Sequence, residues 1–333
     1  MTVARLSDLE RPIVRVDQPL VLISQAQRSG GTLLLRLFDG HPECQVAPFQ
    51  LRGIDQAAKH PLTNAEEGWQ ALYDPKLVTR YESGHRQQKH EVLDEEEVFP
   101  FELQPVLQRE IYDACTGRLQ QPSGRDLFDC YFTSYFNAWL DYRNLSTAPK
   151  RWVVGFEPGV ARSMRRREAV SELYPDGRVL SIVRDPWSWY ASARRWEPRW
   201  QDREAAIGYW LAAGKGALKW RKQSSRWSVR MIRFDRLLAE TEDTLRRLAL
   251  WLEIEFVPEL AEPTFNGRPI RANSSFADVS TSVSMEPVDR ARRRLDPDDV
   301  AYIEQRAGAF YEQLVERADR DWALKWGRGR NLG

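Results

Sequence analysis

The segment that decides the fold is PLVLISQAQRSGGTLLLRLFDGHP, which runs from Pro19 to Pro42. Its first part, Leu20–Ser24, is a short apolar run of the kind that forms a buried parallel strand. Leucine and phenylalanine then recur on one helical face between residues 33 and 38. Gly40, followed by His41 and Pro42, is a typical helix end. The segment therefore predicts a strand, a tight turn and a helix.

The turn between this strand and this helix has the features of an anion-binding loop. A helix N-terminus presents unpaired N–H groups and a positive dipole end. Gly30 and Gly31 permit close approach of a ligand, Ser29 and Thr32 carry hydroxyls, and Arg28 carries a permanent charge. The lysine of the pattern G-x-x-x-x-G-K-[ST] is absent. The turn predicts either a site for an anion other than the β/γ-phosphates of ATP, or an ordinary glycine-containing connection.

Further apolar runs in the second half of the chain alternate with helical stretches. Helical periodicity appears at about 160–173, 202–223, 237–252 and 297–317. Strands that alternate with helices predict an α/β fold, a P-loop-like three-layer sandwich whose central, mainly parallel sheet is flanked by helices. The strand-like runs are Trp152–Phe156, Arg178–Val183 and Val229–Phe234.

The chain is expected to form a single domain over residues 1–333. Residues 1–18 look like an N-terminal extension. Residues from about 50 to 150 are polar with modest helical patterning, and we expect a mostly helical insertion that covers the acceptor side of the site.

Composition narrows the possible partners and compartment. Lys and Arg total 49 against 48 Asp and Glu, a formal charge of +1, so no overall field favours nucleic acid or a membrane. Cys44, Cys115 and Cys130 are odd in number and widely spaced, which predicts neither disulfides nor a metal site and suits a reducing compartment. No run approaches the roughly 20 apolar residues of a membrane span. We expect a cytoplasmic protein without a transmembrane segment.

A second anion-binding motif follows the run RVLSIV. Arg184 stands directly after this predicted strand, and Ser192 lies eight residues later on the next predicted helix. In open α/β sheets, ligands bind at the carboxyl ends of the strands. Arg184 and Ser192 therefore predict a second anion contact, although an Arg-Asp pair such as Arg184-Asp185 is also common as a structural ion pair.

Together these motifs resemble those of sulfotransferases that use 3′-phosphoadenosine 5′-phosphosulfate (PAPS). QRSGGTLLLRLFDGHP resembles their 5′-phosphosulfate loop, and ELYPDGRVLSIVRDPWSWYAS resembles their 3′-phosphate motif. RWVVGFEP, MIRFDRLLAETEDTLRRLALWLEIEF and RANSSF are weaker matches in the expected order. The likeness is closer to the bacterial and tyrosylprotein branches than to the cytosolic small-molecule branch, whose loop carries Lys.

The resemblance implies an enzyme that moves a sulfuryl group from PAPS to a hydroxyl or amine by in-line displacement without a metal. Adenosine 3′,5′-bisphosphate would be released. The resemblance assigns Arg28 to the leaving 5′-phosphate oxygen. It also assigns Arg184 and Ser192 to the 3′-phosphate, and Phe234 to the adenine. The full set of donor residues that it implies is Arg28, Ser29, Gly30, Gly31, Thr32, Leu33, Arg184, Ser192, Phe234, Asn273, Ser274 and Ser275.

The general base is harder to assign by resemblance. The tyrosylprotein branch has a Glu shortly after the His-Pro, where this chain reads Ala47-Pro48-Phe49. Glu157, in GFEP, lies at a predicted strand end and is the first candidate, with His60 as the second. The alternative for Glu157 is a structural pairing with an Arg. Phe156 stands where many members of the family have the Lys of a W-G-K-T-P-like strand end.

The acceptor and two other functions remain open at this level. Tryptophans and tyrosines crowd residues 187–210, where most should pack helices and one or two could face an acceptor. The implied acceptor is a small molecule, a carbohydrate or a lipid-like compound, and no nucleic acid. The alternatives are a P-loop nucleotide kinase or NTPase, and a catalytically degenerate nucleotide-binding regulatory protein.

Overall fold

The computed structural model describes residues 5–51, 53–75, 101–225, 228–270, 283 and 285–324. Within these ranges a five-stranded parallel sheet forms the middle layer, with strand order β2-β3-β1-β4-β5. Because all five strands run the same way, their carboxyl ends share one edge. The strands are β1 Leu20–Ile23, β2 Cys44–Gln50, β3 Trp152–Phe156, β4 Arg178–Val183 and β5 Val229–Arg233, with a small hairpin of β6 Thr264–Phe265 and β7 Arg268–Pro269.

Helices cover both faces of this sheet. Along β1, Leu20 and Leu22 point into one apolar core, whereas Val21 and Ile23 point into the other. This alternation confirms the predicted three-layer α/β sandwich. The helices are α1 Gly31–Phe38, α2 Ile54–Lys59, α3 Ala65–Leu72, α4 Pro105–Thr116, α5 Gly124–Ala138, α6 Met164–Leu173, α7 Pro186–Trp196, α8 Arg203–Gln223, α9 Phe234–Ala239, α10 Thr241–Leu252, α11 Glu286–Arg293, α12 Pro297–Ile303 and α13 Ala309–Ala323.

Strand β2 is an element that the sequence analysis missed. Its sequence, CQVAPFQ, contains two glutamines and Pro48, which do not read as a buried strand. β2 lies at the edge of the sheet and pairs with β3, so Pro48 is tolerated there. The register shifts between Val46 and Gln50, which interrupts the regular pairing of β2 with β3 near the carboxyl end of β2.

The segment between β2 and β3 contributes α2 to α5, and the two longest of these described helices, α4 and α5, pack side by side. A disulfide joins Cys115 of α4 to Cys130 of α5, with their Cα atoms 5.7 Å apart. The prediction that the cysteines stay unpaired is therefore wrong, because spacing along the chain does not reveal that the two positions face each other across a helix pair. Cys44 is free and buried.

The described part of the N-terminal extension lies against this helix pair. The Leu6 N–H donates to a Glu110 carboxylate oxygen (2.7 Å), and the Val16 N–H donates to Thr133 Oγ1 (2.9 Å). Val16 is fully buried. Residues 5–18 thus pack along the surface of the domain. No helix in the described ranges is long and apolar enough to cross a membrane.

Candidate functional site

The loop between β1 and α1 wraps around the N-terminus of α1. The backbone of Arg28 has φ 66° and that of Gly30 has φ 90°, both left-handed. The first hydrogen bond of α1 runs from the Leu34 N–H to the Gly30 carbonyl (3.0 Å). The N–H groups of residues 31–33 therefore have no acceptor within the helix and are suited to an anion.

Two aromatic rings pack closely against the glycines of this loop. A Cβ on Gly30 would lie 2.4 Å from Cε2 of Phe234, and a Cβ on Gly31 would lie 2.4 Å from Cε2 of Phe156. The Gly31 position is also only 2.1 Å from Nε2 of Gln25. Both glycines are required here by lack of space, and Gly30 by its backbone angle as well.

This packing makes Gly30→Ala a test of the loop. The variant should lose about 1–3 kcal/mol of folding free energy from backbone strain and the Phe234 clash, and its melting temperature should fall. The matched control is Gly208→Ala on α8, where a Cβ meets nothing within 4 Å and should stabilise the helix. If Gly30→Ala melted like Gly208→Ala, the loop conformation described above would be wrong.

The remaining loop side chains differ in exposure. Arg28 is half-buried, and its guanidinium lies 4.5 Å from the centre of the Trp196 ring. Ser29 and Leu33 are buried, and Thr32 is half-buried. Both polar atoms of the buried Gln25 amide lack a hydrogen bond within the described residues. An orphaned amide against Gly31 fits a site that receives a polar ligand.

Arg184 connects the second strand end to the first. Its Nη1 donates to the Arg28 carbonyl (2.6 Å), Nε to Ser188 Oγ (3.1 Å) and Nη2 to the Ser188 carbonyl (3.1 Å). Its guanidinium also stacks on the Phe234 ring, 4.7 Å from the centre. Within the described residues, three of its five N–H groups are engaged, which leaves two for another acceptor. Ser192 lies buried one turn beyond Ser188.

The charge on Arg184 survives its burial. Desolvation lowers the pKa of Arg184 to about 10, and the nearby Arg28 adds to this effect while Asp185 opposes it. The guanidinium is therefore still protonated at neutral pH. Asp185 accepts from the Ser188 N–H (2.8 Å), which caps α7 and holds Ser188 beneath Arg184.

Glu157 lies at the same sheet edge. It follows β3, and its N–H donates to the Ile23 carbonyl of β1 (3.0 Å). The side chain is 8% exposed, and the preceding residue is Phe156, whose ring packs on Gly31. The structure thus brings Glu157 beside the β1–α1 loop, as its predicted position after a strand required.

His60 and His41 lie in different environments. His60 is exposed at the end of α2, where Glu67 is its charged neighbour, and no described contact joins it to the strand ends. His41 is buried and structural: its Nδ1 accepts from the Glu43 N–H (3.1 Å), so its Nε2 donates to the Glu255 carbonyl (2.8 Å). Burial lowers the pKa of His41. Asn273, Ser274 and Ser275 lie outside the described residues.

Sequence reasoning missed two components of this edge. Gln25 precedes the glycines without any motif to mark it, and Phe156 looked only like a replacement for Lys. Their role as walls of the loop is visible only when β1 and β3 are paired, with Ile23 opposite Phe156. In the described ranges, no cluster of three or more His, Cys, Asp or Glu residues gathers that could hold a metal ion.

Comparison with known proteins places these features in a family. Residues 19–258 match the model of the sulfotransferase family. No curated protein matches the chain significantly. A sulfotransferase domain from the curacin biosynthetic pathway is 17% identical, with a TM-score of 0.52, covering 89% of this chain and 99% of its own. A sulfotransferase domain from the olefin synthase of Synechococcus PCC 7002 is 15% identical, with a TM-score of 0.53, covering 92% and 96%. These two share the fold, and because the family match spans more than half of its length, the chain belongs to the sulfotransferase family.

Proposed function

We propose that this protein transfers a sulfuryl group from PAPS to a hydroxyl or amine acceptor. The observation that carries the proposal is the contact between the two predicted anion sites, in which Arg184 donates to the carbonyl of Arg28 and Phe234 packs on both Gly30 and Arg184. A donor with a phosphosulfate at one end and a 3′-phosphate at the other needs two such sites at one sheet edge.

The donor would be held by both strand ends. The N–H groups of residues 31–33 and the hydroxyls of Ser29 and Thr32 would bind the 5′-phosphosulfate. The two remaining N–H groups of Arg184, with the Ser192 hydroxyl, would bind the 3′-phosphate. Phe234 lies between the two sites and would offer a ring face to the adenine.

The chemistry needs charge stabilisation at one oxygen. In an in-line displacement at sulfur, the bond to the 5′-phosphate oxygen breaks and negative charge grows on that oxygen. Arg28 and the helix N-terminus would stabilise it, and fixed electrostatic groups of this kind usually supply the largest share of catalysis. Because Arg28 and the helix N-terminus supply positive charge at this oxygen, the proposed mechanism requires no metal ion.

Glu157 is our proposed general base. It would take the proton of the acceptor as the acceptor oxygen or nitrogen bonds to sulfur, and the proton would leave with solvent after product release. This role is supported by the burial of Glu157 beside the β1–α1 loop, at the carboxyl end of β3. His60 remains a second candidate from the sequence, but its exposed position just after α2 gives it no such support.

Replacing Arg184 tests the 3′-phosphate assignment. Arg184→Ala should weaken binding of adenosine 3′,5′-bisphosphate about 10- to 100-fold more than binding of 5′-AMP, because only the bisphosphate loses charge-assisted hydrogen bonds to the guanidinium. Calorimetric titration of both ligands measures the ratio. Ser188→Ala, which loosens Arg184 without removing its charge, should change the ratio less. Equal losses for both nucleotides after Arg184→Ala would disprove the assignment.

The activity itself is tested with radiolabelled PAPS and a library of hydroxyl and amine acceptors in the presence of EDTA. Transfer of label under these conditions supports the proposal. Turnover of ATP that depends on Mg²⁺ would instead favour the nucleotide kinase alternative. Tight binding of adenosine 3′,5′-bisphosphate without any transfer would favour a degenerate nucleotide-binding protein.

A small-molecule acceptor and a cytoplasmic location complete the proposal. The location rested in part on unpaired cysteines, and the disulfide between Cys115 and Cys130 removes that support. The location therefore remains a prediction.

A further inference from the structure

A cavity opens between the carboxyl end of β2 and the helix pair α4–α5. The cavity is narrow, and it is partly open to solvent at its mouth. The N–H of Leu51, on its wall, donates to the Phe156 carbonyl (2.8 Å). Because Glu157 is the next residue along the chain, its backbone lies close to Leu51 on the wall of the cavity.

The walls of this cavity are mainly aromatic and apolar. The rings of Phe49 and Phe101 meet edge to face, with centroids 5.5 Å apart. Among the described lining residues, Asp74 is the one with a charged side chain. Such walls favour an uncharged, apolar body over a sugar or an anion. The aromatic lining residues from β2 and the insertion include Phe49, Phe101, Phe128, Tyr131, Phe132 and Tyr135.

One buried polar group stands out among these walls. Gln108 of α4 lines the cavity and is 0% exposed. Its amide lies beside the Tyr131 hydroxyl, yet neither of its polar atoms makes a hydrogen bond of normal geometry in the described part of the chain. Burying an unsatisfied amide is costly, so its presence at a cavity wall indicates a ligand that satisfies it.

We propose that the acceptor is an uncharged lipophilic alcohol or phenol whose apolar body fills this cavity. A second hydrogen-bonding group, at the end away from the sulfated hydroxyl, bonds to the Gln108 amide. This inference rests on the proposed sulfuryl transfer, and it selects the lipid-like or aromatic acceptors from the wider set that the sequence left open.

The test uses two probes that differ by one distal hydroxyl, 4,4′-dihydroxybiphenyl and 4-hydroxybiphenyl. Titrated into the full chain by calorimetry without any nucleotide, the dihydroxy compound should bind about 10-fold more tightly. In Gln108→Leu this ratio should fall to about one. The variant should also melt about 2–4 °C higher, because an unsatisfied buried amide is gone. Gln70→Leu, on the exposed face of α3, is the matched control and should keep the ratio.

A second variant tests the cavity independently of Gln108. Ala47 lines the cavity and is 6% exposed, so Ala47→Phe should fill it and weaken both probes at least about 10-fold. No binding of either biphenyl to the unmodified chain, or an unchanged ratio in Gln108→Leu, would overturn the inference. If the probes bind normally but the chain transfers no sulfate, the cavity is supported as a binding site and the proposed sulfuryl transfer is contradicted. Sulfation of sugars without probe binding would reject the inference alone.

Discussion

Replacing Arg28 with alanine should lower the turnover number of sulfuryl transfer by about 100- to 1,000-fold. Arg28 is a half-buried cation of the β1–α1 loop that stacks on Trp196, and we propose that it faces the oxygen on which charge develops. Its charge acts more strongly in the transition state than in the bound donor, so turnover should fall much more than donor affinity. The measurement is steady-state kinetics with labelled PAPS.

Two further variants separate charge from structure. Arg320→Ala removes an exposed arginine of α13 that pairs with Glu316, and it should leave turnover unchanged. Arg28→Lys keeps the charge but not the planar fork, so its turnover should fall between those of the unmodified chain and Arg28→Ala. Near-normal turnover of Arg28→Ala would remove the residue from the mechanism.

Replacing Glu157 with glutamine should lower turnover by about 100-fold or more, since a positioned base contributes about 10²–10⁴-fold to a proton transfer. Glutamine keeps the size of the side chain, so binding of adenosine 3′,5′-bisphosphate should change little. Turnover is measured with two phenols, one neutral and one already ionised at the assay pH. The ionised phenol has no proton to lose, so its loss of rate should be much smaller.

The matched control for this variant is Glu172→Gln, on the exposed face of α6. It should leave both rates unchanged. If Glu157 only stabilised the fold, Glu157→Gln would slow the two phenols equally, and this outcome would exclude it as the base.

The central α/β architecture could be predicted because its elements carry strong local patterns. β1, β3 and β4 are buried on both faces; β1 and β3 are unbroken apolar runs, and β4 is mainly apolar with Ser181 inside it. β2 could not be predicted in the same way, because an edge strand tolerates Pro48 and polar residues. The pairing of Cys115 with Cys130 depends on how two helices face each other, which the chain spacing does not encode.

Some features of the candidate site could be predicted from the sequence, and others could not. The loop glycines, Arg184 and Glu157 all follow strands, so a parallel sheet had to bring them to one edge. The direct bond from Arg184 to the Arg28 carbonyl was not predictable, because it depends on the left-handed backbone at Arg28. The aromatic cavity was hidden for another reason, since aromatic residues at helical spacing in α5 look like ordinary packing.

The most direct test of the account is a crystal structure of the protein with adenosine 3′,5′-bisphosphate bound. Our account predicts the 5′-phosphate within hydrogen-bonding distance of the N–H groups of residues 31–33, and the 3′-phosphate against the Arg184 guanidinium and Ser192. A bisphosphate that lies away from both the β1–α1 loop and Arg184 would contradict it.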